Sequence, residues 1–273
     1  MRRSTPLDPH PGNPRLLRRR EGERTTLWTR SVAHPLPLFG ERVLRRPEAT
    51  YRYFEPGRAK LAAAVVRGHL EPIPLAGERW LYLGAAGGTT ASYVADLVGP
   101  EGAVYAIEKS PRPFVRLLSV AERCPNLLPI LTDARRPQES LGLVPPVDGL
   151  YADVAQPDQV DIVLAQAAEF LKSGGSLLLA LKTASMGRDR TPEEHARRAR
   201  ELLRPTFGTA PPLSLDPFHR RHYLIAGRAR EGAFANEPEE RQGAIPRPSS
   251  GRAPGRRRFH RGLAERYAAR DPR

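Results

Sequence analysis

The amino-acid sequence predicts an α/β fold, a mostly parallel sheet covered by helices on both faces. Three observations carry that expectation. Short apolar runs alternate with helical patterns over residues 55–227. The run Trp80-Leu81-Tyr82-Leu83 leads into a turn almost without side chains, Gly84-Ala85-Ala86-Gly87-Gly88. Glu108 stands at the end of the next apolar run, about twenty residues beyond the turn.

Each element has its own signal. Residues 25–54 are short apolar and polar runs broken by Pro and Gly, which predicts a small antiparallel β appendage. Residues 56–70 read as a helix with Leu61, Ala62, Val65 and Val66 on its apolar face and Lys60 in its first turns. After the strand at 80–83, Thr89 and Thr90 open a helix with Ala91, Val94, Ala95 and Val98 inward, and Gly99-Pro100 stops it. A strand follows at 104–107. Ser110-Pro111 then gives an N-cap and a first-turn proline to a helix ending at Glu122. The third strand, 127–131, ends at Thr132-Asp133-Ala134, and the fourth, 147–152, at Asp153-Val154-Ala155-Gln156. Pro157 opens a helix that runs to Lys172-Ser173-Gly174-Gly175, and Lys182 ends the fifth strand, 176–181. Thr191-Pro192-Glu193-Glu194 is a capping box starting a helix to Leu203. Residues 213–216 and 223–226 form an antiparallel closing pair, for seven strands in all.

Composition limits the rest. A chain of 273 residues buries one α/β core, expected over 55–227. The net charge of +14 sits mostly at the ends. Residues 1–50 carry eleven Arg against five acids, and residues 228–273 carry twelve against six. These Pro- and Arg-rich ends are expected to be disordered basic arms, over 1–24 and 228–273, that contact nucleic acid through phosphates. No apolar run is long enough for a membrane span and no leader pattern opens the chain, so a soluble, unexported protein without membrane contact is expected. A lone Cys124 permits no internal disulfide and suits a reducing cytoplasm. Only four lysines, Lys60, Lys109, Lys172 and Lys182, stand beside forty arginines, which marks them as places where a compact ammonium is needed.

In a parallel sheet, function gathers beyond the carboxyl ends of the strands, where Glu108, Asp133, Asp153 and Lys182 all fall. Glu108 is placed to accept bonds from both hydroxyls of a ribose, and Asp133 to bond an adenine amino group. The turn is not G-x-G-x-x-G, and G-x-x-x-x-G-K-[ST] occurs nowhere in the chain, so no phosphate cradle is indicated. S-adenosyl-L-methionine, with a ribose, an adenine and no phosphate, fits better.

The segments YFEPGRAKLAAAVV, LYLGAAGGTTASYVADLVGPEGAVYAIEKSPRP, LPILTDARRP, ADVAQPDQ, LLLALKTAS and LDPFHRRH, in that order over residues 51–227, resemble the successive blocks of the fibrillarin family. The resemblance implies a Rossmann-like S-adenosylmethionine-dependent methyltransferase fold and RNA ribose 2′-O-methylation of rRNA or tRNA. It implies a catalytic set on Lys60, Asp153, Lys182 and His222, the last preferred over His219 by register with LDPFHRRH. The expected cofactor contacts are Gly84, Ala85, Thr89, Thr90, Glu108, Lys109, Asp133, Ala134, Asp153 and Gln156, with no metal. Lys182, oriented by Asp153, is expected to contact or deprotonate the hydroxyl, while Lys60 and His222 hold the ribose and adjacent phosphate; which lysine acts as base is left open. Implied partners are the RNA substrate, a box C/D guide RNA, a Nop-type scaffold and a kink-turn-binding protein. The chain departs from the family pattern at Lys109, where an aromatic residue is usual, at Gly88, in a shorter appendage, and in the arm after Gly227. Competing readings are a methyltransferase for protein glutamine or a small hydroxylated molecule, and a non-catalytic RNA-binding scaffold.

Overall fold

The inner strands of the main sheet bury both faces, which is why the runs that form them read as continuously apolar. The structure, a computed structural model, describes residues 6–234. The first five strands, β1 (Asp8–His10), β2 (Asn13–Glu21), β3 (Arg24–Arg30), β4 (Val43–Arg45) and β5 (Thr50–Tyr53), form an antiparallel sheet in the order β1-β2-β3-β5-β4. The main domain follows as α1 (Lys60–Val66), β6 (Arg79–Leu83), α2 (Thr89–Val98), β7 (Ala103–Glu108), α3 (Pro111–Ala121), β8 (Leu127–Leu131), β9 (Val147–Ala152), α4 (Gln159–Phe170) and β10 (Leu171–Lys182). It closes with α5 (Pro192–Leu203), β11 (Phe207–Thr209), β12 (Leu213–Ser214) and β13 (His222–Ala229).

The main sheet runs β11-β13-β10-β9-β6-β7-β8, with β12 added beside β13. Strands β6 to β10 are mutually parallel and β13 is antiparallel to β10. Alternation along β6 shows how the core divides. Trp80 and Tyr82 enter the cluster shared with α1, α2 and α3, while Leu81 and Leu83 enter the one shared with α4 and α5. Order then reverses between β6 and β9, so the ends of β6, β7, β9 and β10 open onto one crevice.

Four expectations change. The basic arm expected over 1–24 instead supplies β1 and β2 and begins β3, so the appendage starts well before residue 25. Leu16 and Leu17 are buried, and the arginines between them and the turn are accommodated: Arg19 pairs with Glu21 at 3.2 Å and lies over the Trp28 ring, as does Arg42. The helix expected over 56–70 is confined to α1, because residues 56–58 form a turn and Gly68 takes φ +100°. The closing pair gains an unanticipated strand, β11, while residues 213–216 contribute only the two-residue β12. The arm expected over 228–273 begins inside β13, and beyond residue 234 it lies outside the described residues.

Candidate active site

The turn after β6 is shaped by close backbone approach. Gly84 has φ +78°, and a Cβ there would stand 2.6 Å from the Asp153 carbonyl oxygen, so the β6 and β9 ends meet without room for a side chain. Ala86, at φ +46°, turns its N–H to Glu108 Oε2 at 2.9 Å, and Ser110 N–H donates to Oε1 at 2.7 Å. Each carboxylate oxygen thereby keeps a further acceptor position.

Glu108 lines a cavity of about 300 Å³ with Gly84, Lys109, Asp133, Ala134, Asp153 and Gln156, all anticipated from sequence. Ala85, Thr89 and Thr90 were also anticipated and do not line it. Ala85 is buried in the core cluster, Thr90 is buried, and the Thr89 carbonyl accepts from Ser92 Oγ at 2.9 Å. Sequence reasoning missed Ala86, Ser110, Pro113 and Val154, which do line the cavity. The parts played by Ala86 and Ser110 are backbone amides, which carry no side-chain signature.

One end of the cavity is tied by Arg135. Its guanidinium forks onto Asp158 with two bonds of 2.7 Å and donates to Gln156 Oε1 at 2.9 Å. That fork holds the Asp158 carboxyl below its usual range. Lys109 Nζ approaches Asp133 Oδ2 at 3.8 Å.

At the other end, distant segments meet. Lys60 Nζ, at the start of α1, donates to Asp153 Oδ2 at 2.7 Å, with both side chains less than one-fifth exposed. Lys182 and His222 are cross-strand partners in β10 and β13. The expected pairing of Asp153 with Lys182 is therefore corrected: the register sets Ala152 beside Leu179, which leaves Lys182 farther along β10, facing β13, while α1 brings Lys60 to the carboxylate. His222 Nδ1 lies 2.9 Å from the Arg220 carbonyl, and His219 Nε2 lies 2.9 Å from that of Pro56. The two rings stand 6.0 Å apart, edge to face. Burial, with a contribution from the Lys60 charge, lowers the pKa of both histidines below its ordinary value. Gln159 fixes the end of β10, accepting from Lys182 N–H at 2.8 Å and donating to its carbonyl at 3.1 Å.

A parallel sheet with one reversed strand near its edge, a carboxylate after the second strand and a crevice at the strand ends together define the Rossmann-like methyltransferase fold class. The family model for fibrillarin matches residues 13–231. A fibrillarin-like rRNA/tRNA 2′-O-methyltransferase of Aeropyrum pernix is 41% identical over 198 residues, 72% of this chain and 85% of that protein. The crystal structure of Aeropyrum pernix fibrillarin with natively bound S-adenosyl-L-methionine superposes with a TM-score of 0.74 at 37% identity, covering 81% of this chain and 97% of that one. Fibrillarin from a fibrillarin/Nop5p complex superposes with a TM-score of 0.69 at 38% identity, covering 75% and 94%. This chain belongs to the fibrillarin family. The match begins at Asn13, consistent with β2 being part of the fold rather than an arm.

Proposed function

We propose that this protein is an S-adenosylmethionine-dependent RNA ribose 2′-O-methyltransferase acting on rRNA and tRNA, guided by a box C/D RNA on a Nop-type scaffold with a kink-turn-binding protein. The observation that carries the reading is the Lys60–Asp153 ion pair beside Lys182 and His222, at the mouth of a cavity that Asp153 also lines. The names of the relatives, one of them with the methyl donor and another with Nop5p, support the same assignment.

The cavity suits the cofactor by its donor set. Glu108 has acceptor positions left for a ribose diol, Asp133 has a carboxylate for an adenine amino group, and Lys109 is the lining cation, itself near Asp133. Gly84, Ala134 and Gln156 would complete the cradle. When bound, the sulfonium supplies an already activated methyl group. The chain must then hold a ribose 2′-hydroxyl in line and take its proton. Lys60, fixed by Asp153, and Lys182 present cations to the ribose and its phosphate, and His222 completes the set.

Among the described residues no helix is long and apolar enough to cross a membrane. Cys124 is buried and its thiol is pushed up to about 12, mainly by burial; as the one cysteine of the chain it can form no internal disulfide, which supports our placing the protein in the cytoplasm.

The test is incubation with methyl-labelled S-adenosylmethionine and total RNA, alone and with the guide assembly, followed by nuclease mapping. Label in 2′-O-methyl nucleosides is expected, and Lys182→Ala and Asp153→Ala should each abolish it while cofactor binding persists. Label confined to protein would favour a protein methyltransferase, and RNA binding without label a scaffold. Either would refute the proposal, as would full activity in either variant.

A further inference from the structure

We propose that His222, through Nε2, is the general base that takes the proton of the 2′-hydroxyl. This step rests on the RNA methyltransferase reading above. A carbonyl oxygen only accepts, so the 2.9 Å approach of Nδ1 to the Arg220 carbonyl places the ring hydrogen on Nδ1. In the neutral ring Nε2 then carries the lone pair, with its tautomer fixed by backbone two residues away.

The neighbouring groups are committed differently. Lys60 uses a proton in its ion pair with Asp153. Lys182 has no carboxylate within ion-pair distance among the described residues, so its cation is available to an oxygen gaining negative charge. His219 has the opposite tautomer, because Nε2 donates to the Pro56 carbonyl and ties the β12–β13 turn to the segment that leads into Lys60. It lies outside the strand, whereas His222 faces Lys182 across the β10–β13 ladder.

The groups that act on the His222 ring come from several elements: the charges of Lys60 from α1, Asp153 from the end of β9 and Lys182 from β10, and, in direct contact, His219 and the Arg220 carbonyl from the preceding turn. Burial and the two lysine charges disfavour the imidazolium, while the Arg220 carbonyl and Asp153 favour it; the balance lies below 6.5, so the ring is neutral at neutral pH.

A weak base suffices because the proton leaves late. The hydroxyl oxygen bonds the methyl carbon as the carbon–sulfur bond of the sulfonium donor breaks with its electron pair to sulfur. An oxygen that has begun to bond carbon is far more acidic than a free hydroxyl. Its proton passes to Nε2, its electron pair remains in the new ether, and the imidazolium later releases the proton to water.

The experiment uses the full chain with its guide assembly and a target RNA, following kcat/KM against pH, together with nitrogen-15 spectra of the imidazoles. The wild type should show an acid limb with an apparent pKa below 6.5, and the His222 spectrum should show hydrogen on Nδ1 and a bare Nε2. His222→Gln should lower kcat/KM by about 10²–10⁴-fold and abolish the limb, with cofactor affinity retained. His219→Gln should lower the rate yet keep the limb. A limb that survives in His222→Gln, a limb lost in His219→Gln alone, or hydrogen on Nε2 of His222 would each overturn the assignment. A wild type that labels no RNA ribose would overturn the RNA reading itself and this step with it.

Discussion

Arg52 offers the sharpest test of how the two sheets are joined. Its guanidinium is fully buried and pairs with Glu41 at 2.8 Å and with Asp96 at 3.2 Å, while also donating to Ser92 Oγ at 3.1 Å. Asp96 is itself fully buried, and Glu41 almost so. Arg52→Met keeps much of the volume but strands two carboxylates, which costs about 3–5 kcal/mol for a buried pair broken from one side. For a domain of this size that corresponds to a fall in melting temperature of roughly 6–20 °C, at about 2–4 °C per kcal/mol. Burial already pushes the Asp96 pKa up against the pull of Arg52, so the carboxyl left alone should take up a proton more readily. The assay is urea denaturation followed by circular dichroism, run as a cycle with Asp96→Asn and the double variant. Asp96→Asn removes the stranded charge, so the double variant should recover more than half of the loss. A loss below about 1 kcal/mol in the single variant, or strictly additive costs in the double, would show that the ion pairs are not what secures this interface.

Two further outcomes follow from the same reasoning. Glu108→Gln replaces a carboxylate that holds two backbone amides and faces the cavity. Charged hydrogen bonds of about 1.5–3 kcal/mol predict a loss of roughly 10–100-fold in S-adenosylmethionine affinity by calorimetry, and unchanged affinity would remove Glu108 from the cradle. The pKa values of His10, His69, His219 and His222 are all lowered from 6.5, chiefly by burial. A lowered histidine binds fewer protons folded than unfolded, so its stabilisation is present above 6.5 and is lost as pH falls toward the folded value. The urea midpoint should therefore decline from about pH 7 to about pH 5, and a flat or rising profile would contradict the sign.

Sequence patterning was most informative where one signal sufficed. The strands β8 and β9 begin and end where their apolar runs do, α2 starts at the Thr89-Thr90 pair, and the Thr191 capping box forms both of its bonds. It was least informative where pairing decides. The three-residue β11 has no pattern of its own and exists through its ladder with β13. The arginine run of β2 resembles a solvated tail until Trp28, Glu21 and the carbonyl of Arg30 are brought beside it. The partner of Asp153 depended on which of two lysines a third element would deliver, and that is settled by where α1 packs, not by spacing along the chain.

The same distinction bears on what holds the cofactor turn. Thr89 and Thr90 lie outside the cavity lining, and α2 supports the turn from behind. That support is gripped by the antiparallel sheet: Thr29 Oγ1 and Val32 N–H bond Asp96 at 2.7 and 2.9 Å, Tyr93 donates to the Tyr53 carbonyl at 2.7 Å, and Arg52 reaches Ser92. On its other side, Gly88 at the head of the helix packs so close to Leu117 that a Cβ would stand 2.8 Å from Cδ1. A turn held from both sides can keep Ala86 in its left-handed conformation with its amide on Glu108, a geometry that alanine adopts only under constraint. The amino-terminal sheet therefore helps to shape the cavity, in keeping with the family match that spans β2 to β5.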